Sequence, residues 1–157
     1  MEAPLDLPQD LADALGEVAA AARDVARPWW IIGSAAAALH GAAVPRVADI
    51  DLLMGREDAA RLLAARGVRP LPPDTDRRFR SDVFGRWQAG AFTVEVMGGL
   101  HICERDGWAP ILPEGRDEVR LAGARLYVPP RRELIALFRR FGRDKDLERA
   151  HRLESHR

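Results

Sequence analysis

The 157-residue chain has a single cysteine, Cys103, so no disulfide can form within it and a reducing compartment is the default setting. Net charge is missing as well. The 24 Lys and Arg residues balance 24 Asp and Glu, which excludes a global field drawing the chain to nucleic acid or an anionic membrane. Lysine is almost absent, Lys145 standing alone among arginines. With the abundant alanine, that bias points to genome composition, yet it singles out the one lysine. No long hydrophobic run exists either. The longest, Trp29 to Val44, is broken by Gly33, Ser34 and His40 and is too short to cross a bilayer. The acidic N-terminus lacks a signal-peptide pattern. A cytoplasmic location with no membrane attachment is the expectation. There are no internal repeats and no low-complexity segments.

What is present is the composition of a globular domain, 47% apolar and 31% charged. The length suits one domain over residues 1–157 with a substantial core.

The informative stretch runs from Trp29 to Met54. Trp29 to Ile32 is a short apolar run, the length of a buried strand, ended by Gly33. Ser34 is then a natural N-cap for an Ala-rich helix that stops at His40-Gly41. A strand that delivers Gly-Ser onto a helix start leaves N–H groups and a hydroxyl available to an anion such as phosphate. In Asp49-Ile50-Asp51-Leu52 the strand period of two puts both aspartates on one face and Ile50 and Leu52 on the other. Two carboxylates roughly 7 Å apart along a strand suit a hard cation such as Mg²⁺. A phosphate grip beside a Mg²⁺ grip is what phosphoryl or nucleotidyl transfer needs.

Gly33-Ser34, the spacer and Asp49-Ile50-Asp51 resemble the signature of the polymerase-β-like nucleotidyltransferases, and in particular their AbiEii-like and lincosamide-transferase-like group. The resemblance extends over roughly Trp29 to Leu153. It implies an α/β (α+β) fold, a mixed β-sheet flanked by helices. It implies transfer of NMP from an NTP to an acceptor hydroxyl with release of pyrophosphate, using Mg²⁺ or Mn²⁺. In that family a third metal carboxylate sits on a neighbouring strand in a Val-Asp/Glu-Val setting, which here falls on Glu95. The family's closing Arg-x-Lys-Asp segment falls on Arg143-Asp144-Lys145-Asp146, and its lysine lies near the nucleotide. The resemblance therefore places Asp49, Asp51 and Glu95 on the metals, and Gly33, Ser34 and Lys145 on the nucleotide. Arg46, just upstream of the aspartates, has two readings: a reach toward the triphosphate, or a solvated loop.

The remaining chain supplies framework. Pro8 to Ala26 has helical apolar spacing through Leu11, Leu15, Val18, Ala22 and Val25. Glu57 to Arg66 reads as a helix ended by Gly67, followed by a loop with Pro70, Pro72 and Pro73. The basic run Arg77 to Arg80 reads as a solvated face before a phosphate-facing one. Phe84 to Trp87 and Ala91 to Met97 form a hairpin in which Phe92, Val94 and Val96 face the core and Glu95 faces away. Leu100 to Cys103 and Trp108 to Leu112 flank Asp106-Gly107, and Glu118 to Leu121 and Arg125 to Val128 flank Gly123. Cys103 and Trp108 are expected in the core. His40 reads as a helix-end residue satisfied by a carbonyl. Arg131 to Phe141 is an amphipathic helix ended by Gly142, and a last helix from Asp144 turns Leu147, Ala150 and Leu153 inward.

Two rival readings come from other classes: a nucleotide-binding module without catalysis, and an interaction protein such as half of a toxin–antitoxin or defence pair. The acceptor, whether small molecule, tRNA or protein, is open at this point. With no evident second domain to read it, a homodimer or partner protein is expected to complete the site.

Overall fold

The structure, a computed structural model, describes residues 1–72 and 76–155; Pro73 of the proline-rich loop lies outside the described residues. Its elements follow in the order α1 (Gln9–Ala21), β1 (Trp30–Ile32), α2 (Gly33–Leu39), β2 (Asp49–Met54), α3 (Arg56–Ala65), β3 (Phe79–Ala89) and β4 (Phe92–Glu104). Then come β5 (Gly107–Pro110), β6 (Asp117–Leu121), β7 (Ala124–Val128), α4 (Arg131–Phe141) and α5 (Asp144–Ser155). The fold is mixed α+β, a mixed sheet flanked by helices.

The main sheet has the order β1-β2-β4-β3, with β5 pairing the far end of β4. β2 and β4 are parallel, and the other pairs are antiparallel. Parallel pairing requires a crossover, and α3 with β3 provides it. The crossover is tight. A Cβ on Gly98 would lie 2.5 Å from the Ala59 Cβ, and one on Gly85 would lie 2.7 Å from Leu63, so glycine in both strands is what lets α3 settle on the sheet.

Strand periodicity divides the sheet into two faces. Ile31, Ile50, Leu52, Val94 and Val96 join the larger core with Leu11, Leu15 and Val18 of α1, Leu62 and Leu63 of α3, and Phe138 of α4. The opposite face is split. Trp30, Ile32, Leu53, Leu100 and Ile102 pack against Leu137 and Phe141 of α4, while the same face carries Asp49, Asp51 and Glu95. A separate hairpin, β6–β7, turns through Ala122 and Gly123, both with positive φ (47° and 83°), the geometry of a tight hairpin turn matched to strand twist. It is tied to the main sheet by an edge-to-face contact of Trp29 on Tyr127, 5.2 Å between centroids.

Several sequence expectations need correction. α1 stops at Ala21 rather than Ala26; Val25 packs on the core from the turn that follows. The hairpin strands are longer than expected: β3 begins at Phe79 and takes in part of the basic run, whose alternating charges hide the strand period. Ser34 is not an N-cap. The left-handed φ of Gly33 (71°) turns the chain straight from β1 into helix, so Ser34 is the second helical residue and Ile32 holds the cap position. Cys103 is exposed, because the β4–β5 hairpin tip runs past the core. Trp108 on that tip is half-buried, with the Arg80 guanidinium 4.4 Å above its ring. Leu147 is exposed (46%), since α5 buries the 146, 150, 153 line instead. The α4 helix ends as expected at Gly142, left-handed at φ 70°. His40 Nε2 lies 2.8 Å from the Pro129 carbonyl oxygen, the satisfied helix-end role.

Candidate active site

The parallel register sets Asp51 of β2 directly beside Glu95 of β4, with Asp49 one pleat away opposite Thr93. All three carboxylates line one cleft of about 330 Å³. Asp49 and Glu95 are close enough to share a hydrogen bond. Burial, then repulsion from Glu95 and Asp49, pushes the Asp51 carboxyl from 3.8 up to about 7, against a smaller opposing pull from Arg149 and Arg143. Glu95 is raised too, by burial first and then by the Asp49 charge and their shared hydrogen bond; Arg86, its neighbour in the register on β3, and Lys145 act the other way. Crowding on a half-apolar face thus lets Asp51 keep a proton at a pH where a free carboxylate has lost it, and moves Glu95 in the same direction.

Gly33 and Ser34 form one wall. A Cβ on Gly33 would stand 2.5 Å from Asp51 Oδ2, so the residue is glycine for its left-handed backbone and for the space it leaves to the carboxylate. Ser34 is only 4% exposed. The facing wall is α5 with the residue before it: Arg143, Lys145, Asp146 and Arg149. An apolar side completes the cleft, with Phe84 and Met97 beside Phe79 and Phe141, whose rings meet edge-to-face at 5.0 Å. Arg78 anchors this side by donating to the Phe141 carbonyl.

The structure therefore brings together Gly33, Ser34, Asp49, Asp51, Glu95 and Lys145 of the expected set. Arg46 is not among them: it is exposed and lines a different hollow, beside Pro4, Leu11 and Phe92. Among the described residues no three acidic, histidine or cysteine side chains are spaced as a ready-made metal cage. Sequence reasoning missed Arg143, Arg149 and Arg86. The first two carried a signal, since residues 143, 146 and 149 recur every three positions and so share one side of a helix.

No family model matches the sequence, and no curated protein is detectably similar to it. Solved structures are. A candidate nucleotidyltransferase from Thermotoga maritima superposes with a TM-score of 0.71 at 21% identity, over 91% of each chain. The antibiotic-resistance factor ANT(2'')-Ia gives 0.60 at 16% identity, covering 94% of this chain and 84% of its own. The lincosamide antibiotic adenylyltransferase LnuA, bound to lincomycin, gives 0.59 at 10% identity over 90% and 95%. The structural neighbours are nucleotidyltransferases, and the fold is the nucleotidyltransferase fold. This agrees with the polymerase-β-like resemblance of Gly33-Ser34 and Asp49-Ile50-Asp51.

Proposed function

We propose that the protein is a metal-dependent nucleotidyltransferase that moves NMP from an NTP to the hydroxyl of a small-molecule acceptor. The observation that carries this reading is the facing of Asp49, Asp51 and Glu95 by Arg143, Lys145 and Arg149 across one cleft of a nucleotidyltransferase fold. Acids on one wall and cations on the other suit a substrate that is itself an anion with bound cations.

The donor set fits Mg²⁺ or Mn²⁺. It is all carboxylate oxygen, the preference of hard cations, and the mutual repulsion that adds to burial in raising Asp51 and Glu95 is what a divalent charge relieves. When bound there by Asp49, Asp51 and Glu95, the metal would lower the acceptor hydroxyl's pKa and offset charge on the phosphates. The chain's own groups do the rest. The Gly33 turn and the Ser34 hydroxyl bind the β- and γ-phosphates, and Lys145 offsets their charge. The acceptor oxygen forms a bond to the α-phosphorus as the bond from that phosphorus to the bridging oxygen of pyrophosphate breaks. Glu95, on the strand beside the aspartates, takes the acceptor proton. Pyrophosphate leaves with the electron pair of the broken bond.

A small alcohol is the acceptor class chosen because ANT(2'')-Ia has been solved in complex with adenylyl-2''-tobramycin and LnuA with lincomycin. The test is incubation of the protein with each α-labelled NTP, Mg²⁺ or Mn²⁺, and a panel of hydroxylated antibiotics and cell extract. Label in one small molecule with matching pyrophosphate release is expected. No transfer from any NTP to any acceptor would leave the catalytically silent or interaction-protein reading in its place.

A further inference from the structure

Asp146 has no exposed surface at all. A buried carboxylate is costly unless it is paired and hydrogen-bonded, and this one is held by two guanidinium groups. Arg143 grips it with a fork, Nε donating to Oδ2 at 2.6 Å and Nη2 to Oδ1 at 3.1 Å. Arg149 Nη1 lies 3.6 Å from Oδ1. The Arg143 backbone N–H also donates to Oδ2 at 3.3 Å, half of a capping box at the start of α5. Aromatic rings border both guanidinium groups. The Arg143 guanidinium stands 4.9 Å from the Phe79 ring centre and the Arg149 guanidinium 6.0 Å from that of Phe138.

This arrangement is more than a helix cap. One carboxylate neutralises one of the two guanidinium charges. The second charge remains, with the N–H donors that Asp146 leaves unused, and both side chains line the cleft opposite the acids. Replacing a buried ion pair by apolar groups is often neutral or favourable for stability, so stability is a poor reason for this cluster. Holding two planar forks at fixed angles beside a cleft is a better one, because guanidinium geometry matches phosphate oxygens in pairs.

We propose that Arg143 and Arg149 form a two-pronged seat for the triphosphate, and that Asp146 is the positioning residue that fixes both prongs. The seat takes di- or triphosphate anions rather than nucleosides. It rests on the nucleotidyl-transfer reading, and the experiment separates the two.

Calorimetric titration with ATP, GTP, CTP and UTP, each with Mg²⁺, with inorganic pyrophosphate–Mg²⁺, and with the nucleoside of the tightest NTP, compares the wild type with Arg149→Gln and Asp146→Asn. Asparagine keeps an acceptor for the Arg143 N–H and removes the charge. In each variant NTP and pyrophosphate affinity should fall about tenfold or more, the range for a lost charge-assisted contact, while nucleoside affinity stays put. The double variant should be little worse than Asp146→Asn alone, because losing the Asp146 charge already loosens the Arg149 prong. Should Asp146→Asn fail to fold, Arg149→Gln, whose side chain is one-fifth exposed, gives the same reading alone. A folded Arg149→Gln with unchanged pyrophosphate and NTP affinity overturns the seat and leaves nucleotidyl transfer standing. Equal losses for nucleoside and triphosphate overturn it in favour of a purely structural cluster. A wild type that binds none of the four NTPs overturns both proposals.

Discussion

Gly33 yields the volume of its absent side chain to Asp51: a Cβ placed on it would come within 2.5 Å of Asp51 Oδ2. The same glycine has φ 71°, which alone costs a side-chain-bearing residue about 1–2 kcal/mol. Gly33→Ala should therefore destabilise the fold by that amount plus the cost of displacing the carboxylate. In an Asp51→Ala background only the conformational part should persist. Denaturant unfolding of the four proteins measures both parts. Equal destabilisation in the two backgrounds would show that the carboxylate does not occupy the space.

Ser34 lies inside α2 and makes no capping hydrogen bond. Ser34→Ala should leave the unfolding free energy within about 0.5 kcal/mol of wild type, since no cap is lost. If the hydroxyl binds phosphate, NTP affinity should nevertheless fall by about fivefold or more. Calorimetry and thermal melting of the same samples decide it: a lower melting temperature with unchanged NTP affinity would assign Ser34 to packing.

The carboxylate face was legible in the sequence because period-two alternation needs no tertiary knowledge. Ile50, Leu52, Val94 and Val96 announce the buried face, and Asp49, Asp51 and Glu95 fall opposite. Helix ends were legible where glycine takes a left-handed turn, as at Gly67 and Gly142. The failures share a cause: local pattern does not say how far an element extends past the core. Cys103 and Trp108 look apolar but sit on a hairpin tip beyond it. Leu147 looks like a core residue, yet α5 is rotated to bury the charged Asp146. That rotation goes with the i,i+3 pairing of Asp146 with Arg143 and Arg149, a pattern of charges that apolar periodicity does not register.

Asp49→Asn tests the metal reading at the chemical step. Losing one anionic oxygen ligand should lower Mg²⁺ occupancy, and transfer should drop by roughly 10³-fold or more as phosphate charge goes unmatched. The fold should be unharmed, because the variant removes one of three mutually repelling charges. Single-turnover label transfer at saturating NTP reads the rate. A variant within about threefold of wild type would remove Asp49 from the metal site.

The last prediction concerns pH and the metal-free protein. Asp51 is raised from 3.8 to about 7, chiefly by burial and then by Glu95 and Asp49. Between those values the folded state keeps a proton that the unfolded chain has released. Stability is then greatest below the unfolded pKa and is lost as pH rises through about 7, by an amount on the order of a few kcal/mol. Glu95 is raised and acts in the same direction. With a chelator present, denaturant midpoints should fall from about pH 5 to about pH 8. In Asp51→Asn that decline should be markedly shallower, leaving the variant more stable than wild type at the alkaline end. Excess Mg²⁺ should restore stability to the wild type at high pH, by mass action on the folded state, and do less for the variant. Parallel pH curves for the two proteins, with or without the cation, would mean that Asp51 is ionised in the ordinary range and that the crowded-carboxylate account of the cleft is wrong.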